Sequence, residues 1–444
     1  MVAAIPRCAL CGASISKESE TGNMSRNYSE RQKIFIIGNG AAGNAACSAI
    51  RSRSQEAQIT LISDEPEPFY SPCIFSAYIS KEIERERIYL KKLGDYEQEG
   101  VHTLLGQRVD QIDPHRKRVH YSGGEISYDK LILALGSQPI VPAIPGMPKE
   151  NIRVLKRLND ADYLLRVQGK KIAVIGSGPI GIELAVAFRK RNWEVHLIEI
   201  CEWIMPNLFD QTGALLIQAL LENQGIRILT NERVLAIEGR NSAEKIITRH
   251  HGGIDVDLVV LGTGMQPSTE LARNAGFKIG TLGGVLTNDR METDVKDVFA
   301  CGDCVEMADP ISRETRLNLL WPHAERQGKI AGYNCLGGEC KYPAMSSAIN
   351  LDIFGKCVGA IGQPARVLGG HRVEVWEKKR KGDYHCLVVA DGKLAGAQVI
   401  GDPEGVGLLF SEMGQNYEAI QRKVNNREGK SQFYWHYPAL RFFQ

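Results

Sequence analysis

No apolar run in the 444 residues approaches the roughly 20 needed to cross a bilayer. The N-terminus also lacks the basic, apolar, small-residue order of a secretory signal, so the expectation is a soluble, cytoplasmic protein. Charge excess is missing as well: 54 basic residues face 52 acidic ones, and a net charge of +2 argues against nucleic acid or an anionic membrane as the main partner. Nor is there a disulfide framework, because eleven cysteines are odd in number and irregularly spaced, which suits reduced intracellular thiols. Length and apolar content are what the chain does have. With 444 residues, 43% of them apolar, it exceeds what one compact core holds, and two or three globular domains follow.

Two glycine-rich turns stand out, GNGAAG at Gly38, Gly40 and Gly43, and GSGPIG at Gly176, Gly178 and Gly181. Each follows an apolar strand (IFIIG, KIAVIG) and opens a helix. In each, the first glycine makes the tight turn, the second lets backbone approach a pyrophosphate, and the third lets the helix pack close with its N-terminus toward the phosphates. One such turn is weak evidence, since an ordinary surface turn can look the same. Here each copy also has the later strand and an acid about 20 residues beyond, where a carboxylate can accept hydrogen bonds from ribose hydroxyls. The first acid is Glu65, beside Asp64; the second is Glu199. The two residues after Glu199 are Ile200 and Cys201 rather than arginines, so the expectation is NAD(H) in preference to a nucleotide carrying a 2′-phosphate. One chain is thus expected to bind two dinucleotides.

Around these turns the chain divides. Residues 1–32 form a polar extension with Cys8 and Cys11; 33–145 begin a first nucleotide domain; Pro139, Pro142, Pro145 and Pro148 mark the crossing into a second, 146–266. Residues 267–338 return to loops, a DVFACGDC strand and a helix from Pro322 to Cys335. The stretch 339–444 alternates apolar and polar residues around an Asp391-Gly392 turn, as an α+β domain would.

Together, GNGAAG, YDKLILALGSQP, GSGPIGIE and TDVKDVFACGDC with WPHAERQGKIAGYN resemble the FAD-dependent, NAD(P)H-linked reductases of the pyridine nucleotide–disulfide oxidoreductase superfamily, over about residues 33 to 335. The resemblance implies an α/β fold of two Rossmann-like three-layer domains, the FAD domain (33–145 and 267–338) interrupted by the NAD domain, with the C-terminal α+β domain at an interface. It implies that the first turn binds FAD, that Gly136 and its strand cover the adenosine side, and that Asp303 holds the ribitol. It places the flavin over the start of the Pro322 helix, where amides near Ala324 would stabilise charge developing on reduction. Gly264, after the LVVLG strand, is assigned with Gly176, Gly178, Gly181 and Glu199 to the nicotinamide nucleotide. Glu183 is a polar handle near nicotinamide and flavin, or a plain helix residue with its carboxylate in water.

Cysteines leave alternatives open. With Ser71 capping and Pro72 first, Cys73 falls in a helix's first turn, where the dipole favours a thiolate; a small structural cysteine fits the sequence equally. The segment resembles that of CoA-disulfide reductases and NADH oxidases. However, the tyrosine-bearing stretch those enzymes use with CoA and the CysX4Cys pair of glutathione-reductase-like members are absent, and Ala77 stands where related ferredoxin reductases have lysine. Cys301 and Cys304 straddle a turn and read as packing. Cys8 and Cys11 (RCALCG) form half of a zinc or iron–sulfur ligand set. Phe433, Tyr434, Trp435, Tyr437, Phe442 and Phe443 crowd the C-terminus of a chain only 7% aromatic, so that tail folds back or anchors a subunit interface. The expected function is electron transfer between NAD(H) and a redox-protein or iron–sulfur partner, as the flavin subunit of a homo- or hetero-oligomer; the alternative is a thiol or CoA-disulfide reductase, or NADH oxidase, using Cys73.

Overall fold

The computed structural model describes residues 31–308, 315–343, 345–380, 383–401 and 403–418. They fall into two compact units. The first holds the described residues up to Tyr70, with Tyr89–Gln138 and Gln266–Met345; the second holds Ser71–Ile88, Pro139–Met265 and the described residues from Ser346.

In the first unit, Lys33–Ile37 is the central strand of a five-stranded sheet, flanked by Gln58–Ser63 and Val101–Leu105 on one side and by Lys130–Leu133 and Val298–Ala300 on the other. All pairings are parallel, with Ile34 opposite Ile59 and Ile37 opposite Leu133. Parallel strands covered on both faces need unbroken apolar runs; Ile34, Phe35 and Ile36 accordingly expose almost nothing. Two helices, Ala41–Arg53 and Trp321–Cys335, lie together through small residues: a Cβ on Gly328 would sit 2.1 Å from the Ala42 carbonyl oxygen, and one on Gly332 2.7 Å from that of Ala46. Cys47, Cys301, Cys304 and Cys335 are all buried. Burial pushes the Cys47 and Cys335 thiols up to about 12 and that of Cys304 to about 11, so they act as small apolar groups. Cys301 and Cys304 are thus buried thiols, as a packing role for Cys304 requires.

The second unit repeats the plan. Its parallel sheet runs Ile226–Leu229, Glu194–Ile198, Lys171–Ile175, Leu258–Leu261, Ile152–Arg153, with Lys171 opposite Glu194 and Ile172 opposite Leu258. The helix Pro179–Lys190 packs on it. An antiparallel sheet follows in the order Ala348–Ile353, Lys356–Gly362, Lys393–Ile400, Asp383–Ala390, Val373–Arg380. The helix Pro403–Glu412 shares a core with it through Val406 and Leu409. Asp391 (φ 48°) and Gly392 (φ 76°) make the tight turn between two of these strands. The fold is α/β with two Rossmann-type sheets, as the sequence predicts. No helix among the described residues is long and apolar enough to cross a membrane.

Candidate functional site

At the first turn the chain leaves its strand through Gly38 at φ +117°, with the Gly38 amide donating to the Ile62 carbonyl at 2.8 Å. A Cβ on Gly38 would lie 2.1 Å from the Ala134 carbonyl oxygen, and one on Gly43 1.9 Å from that of Gly38, so both positions exclude a side chain. Gly40 is different. It is the N-cap of the Ala41–Arg53 helix, in extended backbone, with open space where its Cβ would be and no side chain capping the helix. First-turn amides with no capping side chain, at a point where backbone can be approached closely, fit a pyrophosphate.

Several of the expected partners converge here. Gly302 places its Cα so that a Cβ would meet Ala42 at 2.9 Å and Ala324 at 3.6 Å, and its amide donates to the buried Gln327 side chain at 2.7 Å. The turn carrying Asp303 therefore rests on the first turns of both helices. Asp303 accepts a hydrogen bond from Ser137 at 2.7 Å, one residue after Gly136, which sits at φ +70°. Glu65 accepts one from Tyr70 at 2.7 Å, while Asp64 is exposed. Sequence reasoning missed a network behind the turn. Tyr96 donates to Asn39 at 2.7 Å, Asn39 donates to the Glu67 carbonyl at 3.1 Å, and Phe69 stacks on Trp321 with ring centroids 5.5 Å apart. The asparagine within GNGAAG was the one available signal.

The second turn has the same construction. Gly176 stands at φ +102°, and a Cβ there would be 2.3 Å from the Gly262 carbonyl oxygen. One on Gly181 would be 2.0 Å from that of Gly176, and Gly178 is an open, uncapped N-cap. Gly264, at φ +107°, accepts from the Ile140 amide at 2.9 Å. Glu199 is 7% exposed and accepts three bonds, from the Ser177 amide (2.9 Å) and hydroxyl (2.5 Å) and the Cys201 amide (2.9 Å). Glu183 lies in the helix two residues past Gly181. Burial pushes its carboxyl up to about 7, and it makes no hydrogen bond or ion pair among the described residues.

Cys73 is exposed, in a three-residue 3₁₀ turn, Pro72–Ile74, with Ser71 before it. Ser71 makes no side-chain cap hydrogen bond, so only part of the expected capping geometry is present. Ala77 lies in the short helix Phe75–Ile79, which is held by Tyr78 donating to Asp162 at 2.7 Å. Cys8, Cys11 and the C-terminal aromatics lie outside the described residues. Among the described residues no group of three or more His, Cys, Asp or Glu side chains could hold a metal ion, and nothing else supports the expected zinc or iron–sulfur centre.

The sequence model of the pyridine nucleotide-disulphide oxidoreductase family matches residues 32–328. An NADH oxidase of Methanocaldococcus jannaschii is 32% identical over 83% of this chain and 87% of its own. The large subunit of the NADH nitrite reductase of Escherichia coli is 29% identical over 90% of this chain but 48% of its own, so the chain spans about half of that relative. Among solved structures, a NAD-dependent persulfide reductase from A. fulgidus superposes with TM-score 0.82 at 24% identity, covering 88% of this chain and 78% of that one. NADH:rubredoxin oxidoreductase from Clostridium acetobutylicum does so with TM-score 0.70 at 26% identity, covering 89% and 100%. The family and these neighbours support FAD and NAD(H) as cofactors, and the protein is an oxidoreductase. The chain belongs to the pyridine nucleotide-disulphide oxidoreductase family.

Proposed function

We propose that the protein passes electrons between NAD(H) and a redox-protein partner, as the flavin subunit of a larger assembly. The observation that carries this reading is the duplicated phosphate cradle: one chain has two turns in which a Cβ would strike backbone and a helix begins without a cap. FAD, when bound, supplies acceptance of two electrons together and their release singly, which joins nicotinamide chemistry to one-electron carriers. Gly38, Gly40 and Gly43 would hold its pyrophosphate, Glu65 the adenosine ribose, and Gly136 and Asp303 the adenosine side and the ribitol. The helix that begins at Trp321 would present its positive N-terminal end, near Ala324, to the negative charge that develops on reduction. Gly176, Gly178, Gly181, Glu199 and Gly264 would hold NAD(H). Glu183, a carboxyl with its pKa near neutrality, can hold or release a proton beside that second turn.

The partner reading is supported by two relatives' names, a nitrite reductase large subunit and a rubredoxin oxidoreductase. The exposed thiol of Cys73 and the NADH oxidase relative favour a second reading, thiol or disulfide reduction or oxidase activity through Cys73. Anaerobic NADH titration of the flavin-loaded protein, wild type and Cys73→Ser, separates them. Equal bleaching in both, with turnover of an iron–sulfur carrier, is the expected result. A long-wavelength band lost in Cys73→Ser, with turnover of disulfides and of no carrier, gives the second reading. Absence of bleaching overturns both.

A further inference from the structure

No arginine or lysine follows Glu199 through Asp210, which is why the sequence alone argues against a 2′-phosphate at this end of the second nucleotide site. The fold supplies a cation from elsewhere. Arg366, next to the C-terminal sheet and 159 residues from Asn207, lies with its guanidinium carbon 5.7 Å from the centre of the Trp203 ring and donates to the Asn207 side chain at 3.2 Å. Its neighbourhood is anchored: Trp203 donates to the Phe209 carbonyl at 3.1 Å, and Gln398 donates to Asp210 at 2.7 Å. Arg366 is also close enough to Cys201 to oppose the rise that burial and Glu199 impose on that thiol. Cys201 is the residue whose amide binds the Glu199 carboxylate.

The acid expected to refuse a 2′-phosphate is meanwhile occupied. Three donors from Ser177 and Cys201 already bind the Glu199 carboxylate, and the residue is 7% exposed. Glu202, on the same loop, is exposed and screened by solvent. Arg366 is exposed, with a planar fork of five donors of which one is committed to Asn207, and such a fork matches phosphate oxygens in pairs.

We propose that Arg366, held on Trp203, binds the 2′-phosphate of an adenine dinucleotide, so that the second turn accepts NADP(H) as well as NAD(H). This rests on reading the second turn as the nicotinamide-nucleotide site. Retention of Glu199 makes the specificity dual, since a carboxylate that accepts three bonds keeps capacity for one from a ribose hydroxyl.

Calorimetry of the flavin-loaded full chain with 2′,5′-ADP and with 5′-AMP tests it, because the two differ only in the 2′-phosphate. Wild type is expected to bind both. Arg366→Ala is expected to weaken 2′,5′-ADP by about tenfold, the worth of one charge-assisted contact, and to leave 5′-AMP within about twofold; Arg366→Lys should restore part of the loss, because it keeps the charge without the fork. Unchanged melting temperature and flavin content show that the variants are folded. The inference is overturned if 2′,5′-ADP does not bind wild type while 5′-AMP does, or if Arg366→Ala weakens both ligands equally or neither. Failure of wild type to bind either ligand overturns the reading of the second turn together with the inference.

Discussion

A carboxyl that burial raises to about 7 makes folding stability depend on pH in a definite direction. The Glu183 side chain ionises near its ordinary value of 4.5 in the unfolded chain but only near 7 in the fold. Its contribution is therefore fully present below about pH 4.5 and is lost as pH rises through 7. Across the full window the loss amounts to at most about 3 kcal/mol. Glu183→Gln cannot ionise, so chemical denaturation at pH 8 should show it more stable than wild type, with the difference vanishing near pH 4. A variant less stable than wild type at pH 8 would show that Glu183 has a partner that burial does not reveal. The glycines give a second, paired prediction. Gly43→Ala forces a Cβ to within 1.9 Å of the Gly38 carbonyl oxygen, and Gly181→Ala does the same to Gly176 at 2.0 Å. Gly43→Ala should yield protein without bound flavin. Gly181→Ala should stay yellow but fail to bleach with NADH. The check is visible absorbance before and after anaerobic NADH, and loss of flavin from both variants would contradict the separate roles.

At the scale of elements, the joint between the helices Ala41–Arg53 and Trp321–Cys335 carries the most consequence, because the turn of Asp303 rests on both. Gly328 has the Ala42 carbonyl 2.1 Å from where its Cβ would be, and backbone cannot step aside as a flexible side chain can. Gly328→Ala is expected to cost about 1–3 kcal/mol by overpacking and to lower flavin content in parallel, read as melting temperature and flavin per chain. Stability loss with unchanged flavin affinity would detach this joint from the cradle. Such elements show what was legible beforehand. The strand, turn and helix units were visible because each glycine has a steric duty that only glycine performs, and because buried parallel strands such as Leu258–Leu261 must be apolar throughout. The Pro322 helix was visible from its proline start. Long-range side-chain pairing was not. Ser137 meeting Asp303, Tyr96 meeting Asn39, and Arg366 resting on Trp203 each join residues far apart in the chain, and no local period encodes them. Nor could the sequence tell that Glu199 accepts from Ser177, since a carboxylate bound to its own turn is spelled the same as one awaiting a ligand.

For the whole molecule, the division into two units bears on how the nucleotides are bound. Every residue that shapes the second turn, Gly176, Ser177, Gly181, Glu199, Cys201 and Gly262, belongs to one unit, and every residue that shapes the first, Gly38, Gly43, Ala134, Gly302 and Asp303, belongs to the other. Each cradle is closed by hydrogen bonds of its own sheet, Gly38 to Ile62 and Gly176 to Ile198. Binding at one should therefore survive emptying of the other. Protein stripped of flavin is expected to bind 5′-ADP at the second turn, read as the binding that Gly181→Ala removes, with a dissociation constant within about threefold of that of the loaded protein, a difference of less than 1 kcal/mol. Restoring FAD at a hundred times its dissociation constant should stabilise the first unit by about 2.7 kcal/mol, because ligand binds only the folded cradle. Calorimetry with 5′-ADP before and after flavin removal, alongside thermal unfolding with added FAD, reads both quantities. A 5′-ADP affinity that collapses on stripping would mean that the second cradle is not assembled by its own unit, and the independence drawn from its residues would fail.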